Sequence, residues 1–81
     1  MPTSVNRLSA EATRVEFSGE SVRVMLADGR EISAPLAWFP RLRDASDAQR
    51  ANWRLIGRGE GVHWPDLDEV VSVNALLGLP T

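Results

Sequence analysis

No cysteine occurs among the 81 residues, which excludes disulfides and thiolate metal sites. Lysine is absent too, and all nine basic residues are arginine. A Walker-type phosphate loop, which needs a lysine, is thereby excluded. Arginine makes planar bidentate contacts that lysine cannot, although a GC-rich coding sequence is the plainer source of the bias. No apolar run approaches the ~20 residues needed to span a membrane. The first ten residues lack both a basic start and an apolar stretch of about 7–15 residues, so a signal peptide is not expected. Cytoplasmic location is the default expectation.

The chain is also short. Eighty-one residues make one domain, below the usual domain size. Such a chain buries only about 60–65% of the surface its unfolded form exposes. A hydrophobic fraction of 43%, with three Trp and two Phe, suffices for one core. It does not suffice for a core plus a deep substrate cavity, which lowers the expectation of an enzyme.

Net charge is −2, but it is unevenly distributed. Arg41, Arg43, Arg50, Arg54 and Arg58 against Asp44 and Asp47 give residues 41–58 a charge of +3. The rest of the chain carries four arginines and nine acids, or −5. Glu60, Asp66, Asp68 and Glu69 lie together in sequence with no basic residue among them. The expectation is a basic helix beside an acidic loop.

Residues 1–11 lack sustained periodicity and read as a tail, with the domain proper at 12–80. From Ala12 the pattern alternates, with Thr13, Val15 and Phe17 on one face and Arg14 and Glu16 on the other. Ser18-Gly19-Glu20 turns the chain, and Val22, Val24 and Leu26 resume the alternation. Asp28-Gly29 predicts a two-residue type I′ turn. A third strand follows, with Ile32 and Ala34 inward, and Pro35 stops it. The result is a three-stranded antiparallel meander with one apolar face that needs a cover.

Leu36-Ala37-Trp38-Phe39, ended by Pro40, predicts a helical turn packed on the sheet, with Trp38 in the core. Ser46 and Gln49 have capping-box spacing. They open a helix expected over 47–56, with Ala48, Ala51 and Leu55 inward, Arg50 and Arg54 outward and Gly57 as its C-cap. Val62-His63-Trp64 and 69–73 read as short strands, and Asn74 as the cap of a terminal turn. The fold class is α+β: a meander, a helix, two further short strands and a terminal helical turn.

None of the candidate chemical motifs is complete. Gly57-x-Gly59-x-Gly61 follows a helix and precedes a strand, the reverse of a dinucleotide-binding loop, and reads as a connector. His63 stands alone, without a cysteine nucleophile or a second metal ligand, and reads as a partly buried structural histidine. Asp66, Asp68 and Glu69 do not match a calcium loop. No catalytic residue, metal or cofactor is expected. Trp64 reads as core. Trp53 either packs inward or joins Arg50 and Arg54 in an interface of hot-spot composition or a base-stacking platform.

The segments VRVMLADGREI, Pro-Leu-Ala-Trp-Phe-Pro-Arg-Leu and ANWRLIGRGEGVHWPDLDEVVSVNALL resemble a bacterial family, domain of unknown function 2442, over roughly 12–80. The run G-x-G-x-G-V-H-W-P-x-L-D-E carries most of the resemblance. It implies a small α+β domain, sometimes fused to a helix-turn-helix module. Such domains are often encoded beside another short protein in what look like toxin–antitoxin pairs, or on mobile elements. It carries over no catalytic residues.

The reading that results is a non-enzymatic protein–protein binding module, an antitoxin-like or regulatory partner of bacterial or mobile-element origin. Its candidate surface is Arg41, Arg43, Arg50, Trp53, Arg54, Arg58, Glu60, Asp66, Asp68 and Glu69. The expected partner is another protein, such as a neighbouring gene's product, or a second copy of the chain, and not a membrane. The alternatives are a nucleic-acid-associated accessory protein using the Arg-rich helix over 41–58, or an inhibitor of a nucleic-acid-binding defence complex.

Overall fold

A computed structural model of the chain describes residues 10–78. The tail expected from sequence falls mostly on residues 1–9, outside the described residues. Within them, Ala10 packs against the core and the Glu11 carbonyl accepts from Ala27 N.

The meander forms as the alternation dictates: β1 (Ala12–Ser18), β2 (Ser21–Leu26) and β3 (Glu31–Pro35) pair antiparallel in the order β1-β2-β3. Val22, Val24 and Leu26 of the central strand are all buried. The turn between β1 and β2 has two residues, with Gly19 at φ 58° in its first position. The turn between β2 and β3 differs from expectation. Leu26 N donates to Arg30 O, Gly29 N donates to Leu26 O, and only Gly29 has positive φ. This is a three-residue loop ending in a left-handed glycine, not the two-residue type I′ turn. Asp28 stabilises it by accepting from Arg30 N and from the Arg30 guanidinium.

β1 also departs from strict alternation. Its register shifts between Ala12 and Arg14, so Thr13 is an extra residue in a β-bulge. Ala12 and Val15 both reach the core, while Thr13 is exposed and donates to Met25 O.

The cover over the apolar face is where the sequence expectation is corrected. It is mainly a second antiparallel sheet, not an amphipathic helix. After Pro35 come one 3-10 turn (Leu36–Trp38), the single-turn helix α1 (Pro40–Arg43), and α2 (Asp47–Ala51). Pro40 opens α1 at its first position, where the missing N–H costs nothing, and does not end the preceding turn. The capping box at Ser46 and Gln49 forms in both directions. The helix it starts ends at Ala51, and Ala48, Ala51 and Leu55 are exposed. Because α2 is exposed and short, the box is its main local support. Ser46→Ala therefore costs about 1 kcal/mol by chemical denaturation, and an unchanged midpoint would show the cap to be dispensable.

Residues Arg54–Ile56 form β4, which pairs with β5 (Gly61–Trp64), and β5 pairs with β6 (Glu69–Ser72), in the order β4-β5-β6. Gly57 is accordingly a hairpin-loop residue and not a helix C-cap. The α+β class stands, with a third strand added to the second sheet. The terminal helix α3 (Val73–Leu76) is capped by Ser72, whose hydroxyl accepts from Ala75 N, rather than by Asn74.

One core serves both sheets. Val15, Val22, Val24 and Ala34 from the first meet Val62, Trp64 and Val71 from the second, with Leu42 and Val73 from α1 and α3. Each valine or leucine among them contributes roughly 1.5–3 kcal/mol of hydrophobic stabilisation. Among the described residues no helix is long and apolar enough to cross a membrane.

Candidate functional site

The ten residues singled out from sequence are engaged in different ways. Arg41 reaches across to the acidic segment, where its Nη1 donates to Asp68 O (2.7 Å) and Leu67 O (3.5 Å). It thereby holds the 3-10 turn Pro65–Leu67 and the left-handed Asp68 (φ 51°) that closes it. Arg50 is a structural hub: Nε donates to Leu42 O, Nη2 donates to Arg43 O, and the guanidinium lies 5.3 Å from the Phe17 ring centroid. These bonds cap the carbonyl end of α1. Two of the five clustered arginines thus bind backbone of this chain.

Arg43 pairs with its neighbour Asp44 on the exposed surface. The hydrogen bond, then the Coulomb attraction, lowers the Asp44 carboxyl and raises the Arg43 guanidinium. Any stability from the lowered acid is present above its ordinary pKa of 3.8 and fades as pH falls through the depressed value. Water screens so exposed a pair.

Arg54 lies on β4 directly opposite His63, and Arg58 lies exposed in the β4–β5 loop. Asp66 accepts from Asn52 Nδ2, tying the end of α2 to the turn before β6. The Glu60 carbonyl accepts from Val73 N, and Glu69 opens β6 opposite Trp64. His63 is half-buried, and among the described residues no three His, Asp or Glu side chains converge to hold a metal ion. Trp53 lies beyond the end of α2, half-buried and packed on the core. With Arg50, Phe17, Glu16 and Asp47 it lines a hollow of about 260 Å³ beside β1.

The larger concavity contains none of the ten. It is a groove of about 330 Å³ along β6, lined by Val70, Val71 and Ser72, by Trp38 and Phe39, and by Ala75 and Leu76 of α3. Trp38, expected in the core, is 66% exposed, and Val70 is 55% exposed. The backbone explains Trp38. In a 3-10 turn residues three apart eclipse, so Leu36 and Phe39 share the inward side and Trp38 is turned out. Val70 is outward because strand alternation assigns Val71 to the core and sets Val70 beside His63 on the opposite face. A sequence signal existed for Val70 alone: adjacent valines in a strand with only one buried face.

β6 is an edge strand, paired only with β5 among the described residues. Val73 N donates to Glu60 O, which makes that a hydrogen-bonded pair. Alternation along the ladder then makes Val62↔Val71 and Trp64↔Glu69 the bonded pairs. Gly61↔Ser72 and His63↔Val70 are the non-bonded ones. The N–H and C=O of Val70 and the N–H of Ser72 consequently point away from β5, along the free edge that the groove follows, while the Ser72 C=O faces the first turn of α3.

Residues 12–79 match the model of a family described as "Protein of unknown function (DUF2442)". Among solved structures, the chain is similar to a protein of unknown function from Rhodospirillum rubrum ATCC 11170. The two are 28% identical with a TM-score of 0.68, over 85% of this chain and 87% of that one. No curated protein matches the chain.

Proposed function

The chain belongs to the DUF2442 family of proteins of unknown function, and from that premise we propose that it acts by binding another protein rather than by catalysis. The observation that carries this reading is the pairing of an exposed Trp38 with an exposed Val70 across one apolar groove. Single exposed apolar residues are ordinary on protein surfaces. A tryptophan, a valine and a half-buried phenylalanine and leucine lining a common groove have the composition of a recognition patch. Of the five arginines on which a nucleic-acid reading would rest, Arg41 and Arg50 hold backbone carbonyls and Arg43 pairs with Asp44. The protein reading is therefore the stronger. In biological terms it corresponds to a regulatory, antitoxin-like partner that works by occupying another protein.

Trp38 separates this function from folding. Because its side chain is mostly in water, Trp38→Ala leaves the thermal midpoint within a few degrees of the parent. Partner binding, measured by light scattering on the complex recovered from the native cell, weakens about tenfold or more, as expected for a hot-spot aromatic. A chain that recovers no stoichiometric protein partner, yet shifts DNA or RNA at low salt, would refute the reading.

A further inference from the structure

We infer that the groove along β6 takes an extended peptide segment of a partner protein as an additional strand, with alternate apolar side chains and a basic residue at the Glu69 end. This deepens the protein-binding reading and rests on it. Three observations lead to it.

The first is hydrogen bonding. Val70 directs its N–H and C=O, and Ser72 its N–H, out of the sheet at the floor of the groove. These are the groups through which strand addition secures a peptide backbone whatever its sequence. The second is the lining. Trp38, Phe39 and Leu76 beside Val70 offer apolar contact, and a strand laid on β6 presents every second side chain to one face. The third is charge. Asp66, Asp68 and Glu69 lie at the N-terminal end of β6, and among the described residues Arg41 is the cation bonded there. The surplus is negative, so lysine or arginine is favoured in that part of the incoming segment.

The groove also decides against a second copy of the chain as occupant. A second copy's β6, Glu69–Ser72, would bring an acid and no basic residue to this edge, whereas the negative surplus beside the groove favours a segment carrying lysine or arginine.

A phage-displayed library of random linear peptides, selected on the intact chain, tests this. The enriched peptides are expected to alternate apolar residues and to carry Lys or Arg. A synthetic peptide of that consensus, followed by fluorescence anisotropy, should bind Val70→Pro about tenfold or more weakly, since the Val70 N–H bond is lost and the pyrrolidine ring obstructs the approach to the edge. The substitution suits the fold, because the Val70 N–H makes no bond to β5 and proline is tolerated on an edge strand. If Val70→Pro nevertheless fails to fold, the parent chain answers the same question. Methylating the peptide's backbone nitrogens at every second residue must abolish binding in one phase and spare it in the other.

Absence of enrichment, equal binding to Val70→Pro, insensitivity to N-methylation in both phases, or a consensus spaced three and four residues apart would each overturn strand addition. So would a concentration-dependent dimer of the chain alone that Val70→Pro abolishes, since the second copy would then be the occupant. A native protein partner held equally well by Val70→Pro would leave the protein-binding reading intact and remove only this mode.

Discussion

Replacing Gly59 by alanine destabilises the domain by about 3 kcal/mol or more, the sum of a left-handed backbone penalty of roughly 1–2 kcal/mol and a backbone collision. Gly59 sits at φ 99° in the β4–β5 loop, a conformation that L side chains rarely adopt. A methyl group there would strike the carbonyl oxygen of Ala12 and lie 2.7 Å from its nitrogen. Those atoms belong to β1 and cannot rotate away as a flexible side chain could. The same contact carries the bond from Ala12 N to Gly59 O (2.7 Å), which joins the first sheet to the loop of the second. Any backbone shift that relieves the collision lengthens that bond. Gly19 is the internal control: its φ of 58° also favours glycine, but open space surrounds the position. Gly19→Ala therefore carries only the conformational cost, about 1–2 kcal/mol. For a domain of this size each kcal/mol lowers the midpoint by roughly 4–8 °C, so thermal unfolding followed by circular dichroism separates the two variants clearly. Equal midpoints for Gly59→Ala and Gly19→Ala would mean that the close approach of the two sheets contributes nothing.

That glycine also shows what sequence reasoning reaches and where it stops. Gly57-x-Gly59-x-Gly61 is visible as a connector, because a helix precedes it in any local reading. Yet the helix was over-extended. Ser46 and Gln49 announce where α2 starts, and a capping box carries no information about where a helix ends. A helix this short is not stable by itself, so tertiary pairing decides its length. Asn52 leaves the helical region at φ −93°, ψ 65°. Arg54–Ile56 then pair with Gly61–His63, which strands separated by a tight glycine loop can do and a helix cannot. The strands of the meander were legible because period-2 alternation is a local property with a single buried face. Trp64 was legible as core because it alternates with His63 inside a short apolar run. Trp38 was not: four residues between two prolines fit an α turn or a 3-10 turn equally, and only the latter turns the indole outward. The arginines failed for another reason. Their charge is written in the sequence, but the carbonyls of Leu42, Arg43 and Asp68 that bind Arg50 and Arg41 become neighbours only in the fold. The groove was illegible as a whole, since it joins segments near 38, 70 and 76 that no spacing rule connects.

Trp64→Ala costs about 3–5 kcal/mol, the range for removing a buried large aromatic. This is a large part of the roughly 4–12 kcal/mol that a chain of this length possesses. Trp64 is completely buried and does three things at once. Its ring fills the centre of the shared core. It packs edge-to-face with Phe17 of the first sheet, the ring centroids 6.2 Å apart at 70°. Its Nε1 donates to Arg50 O at 3.0 Å, and the Arg50 side chain in turn caps α1 and covers the same Phe17 ring. Removing the indole therefore opens a cavity and leaves the Arg50 carbonyl without its partner, while the sheets lose a contact between them. Trp64→Phe separates these effects. It keeps most of the apolar volume but not the N–H, so its cost is that of an unsatisfied carbonyl and a smaller void, about 1–3 kcal/mol. Urea titration of the two variants should rank them in that order, and a Trp64→Ala loss below about 2 kcal/mol would show that the core closes around the gap. The contrast with Trp38 is the sharper consequence. Two tryptophans twenty-six positions apart should produce opposite phenotypes: Trp64→Ala lowers stability steeply, and Trp38→Ala weakens partner binding with the fold intact. A Trp38→Ala variant as unstable as Trp64→Ala would place the first indole among the groups that hold the fold together, and the groove would lose its claim to be a surface kept open for another protein.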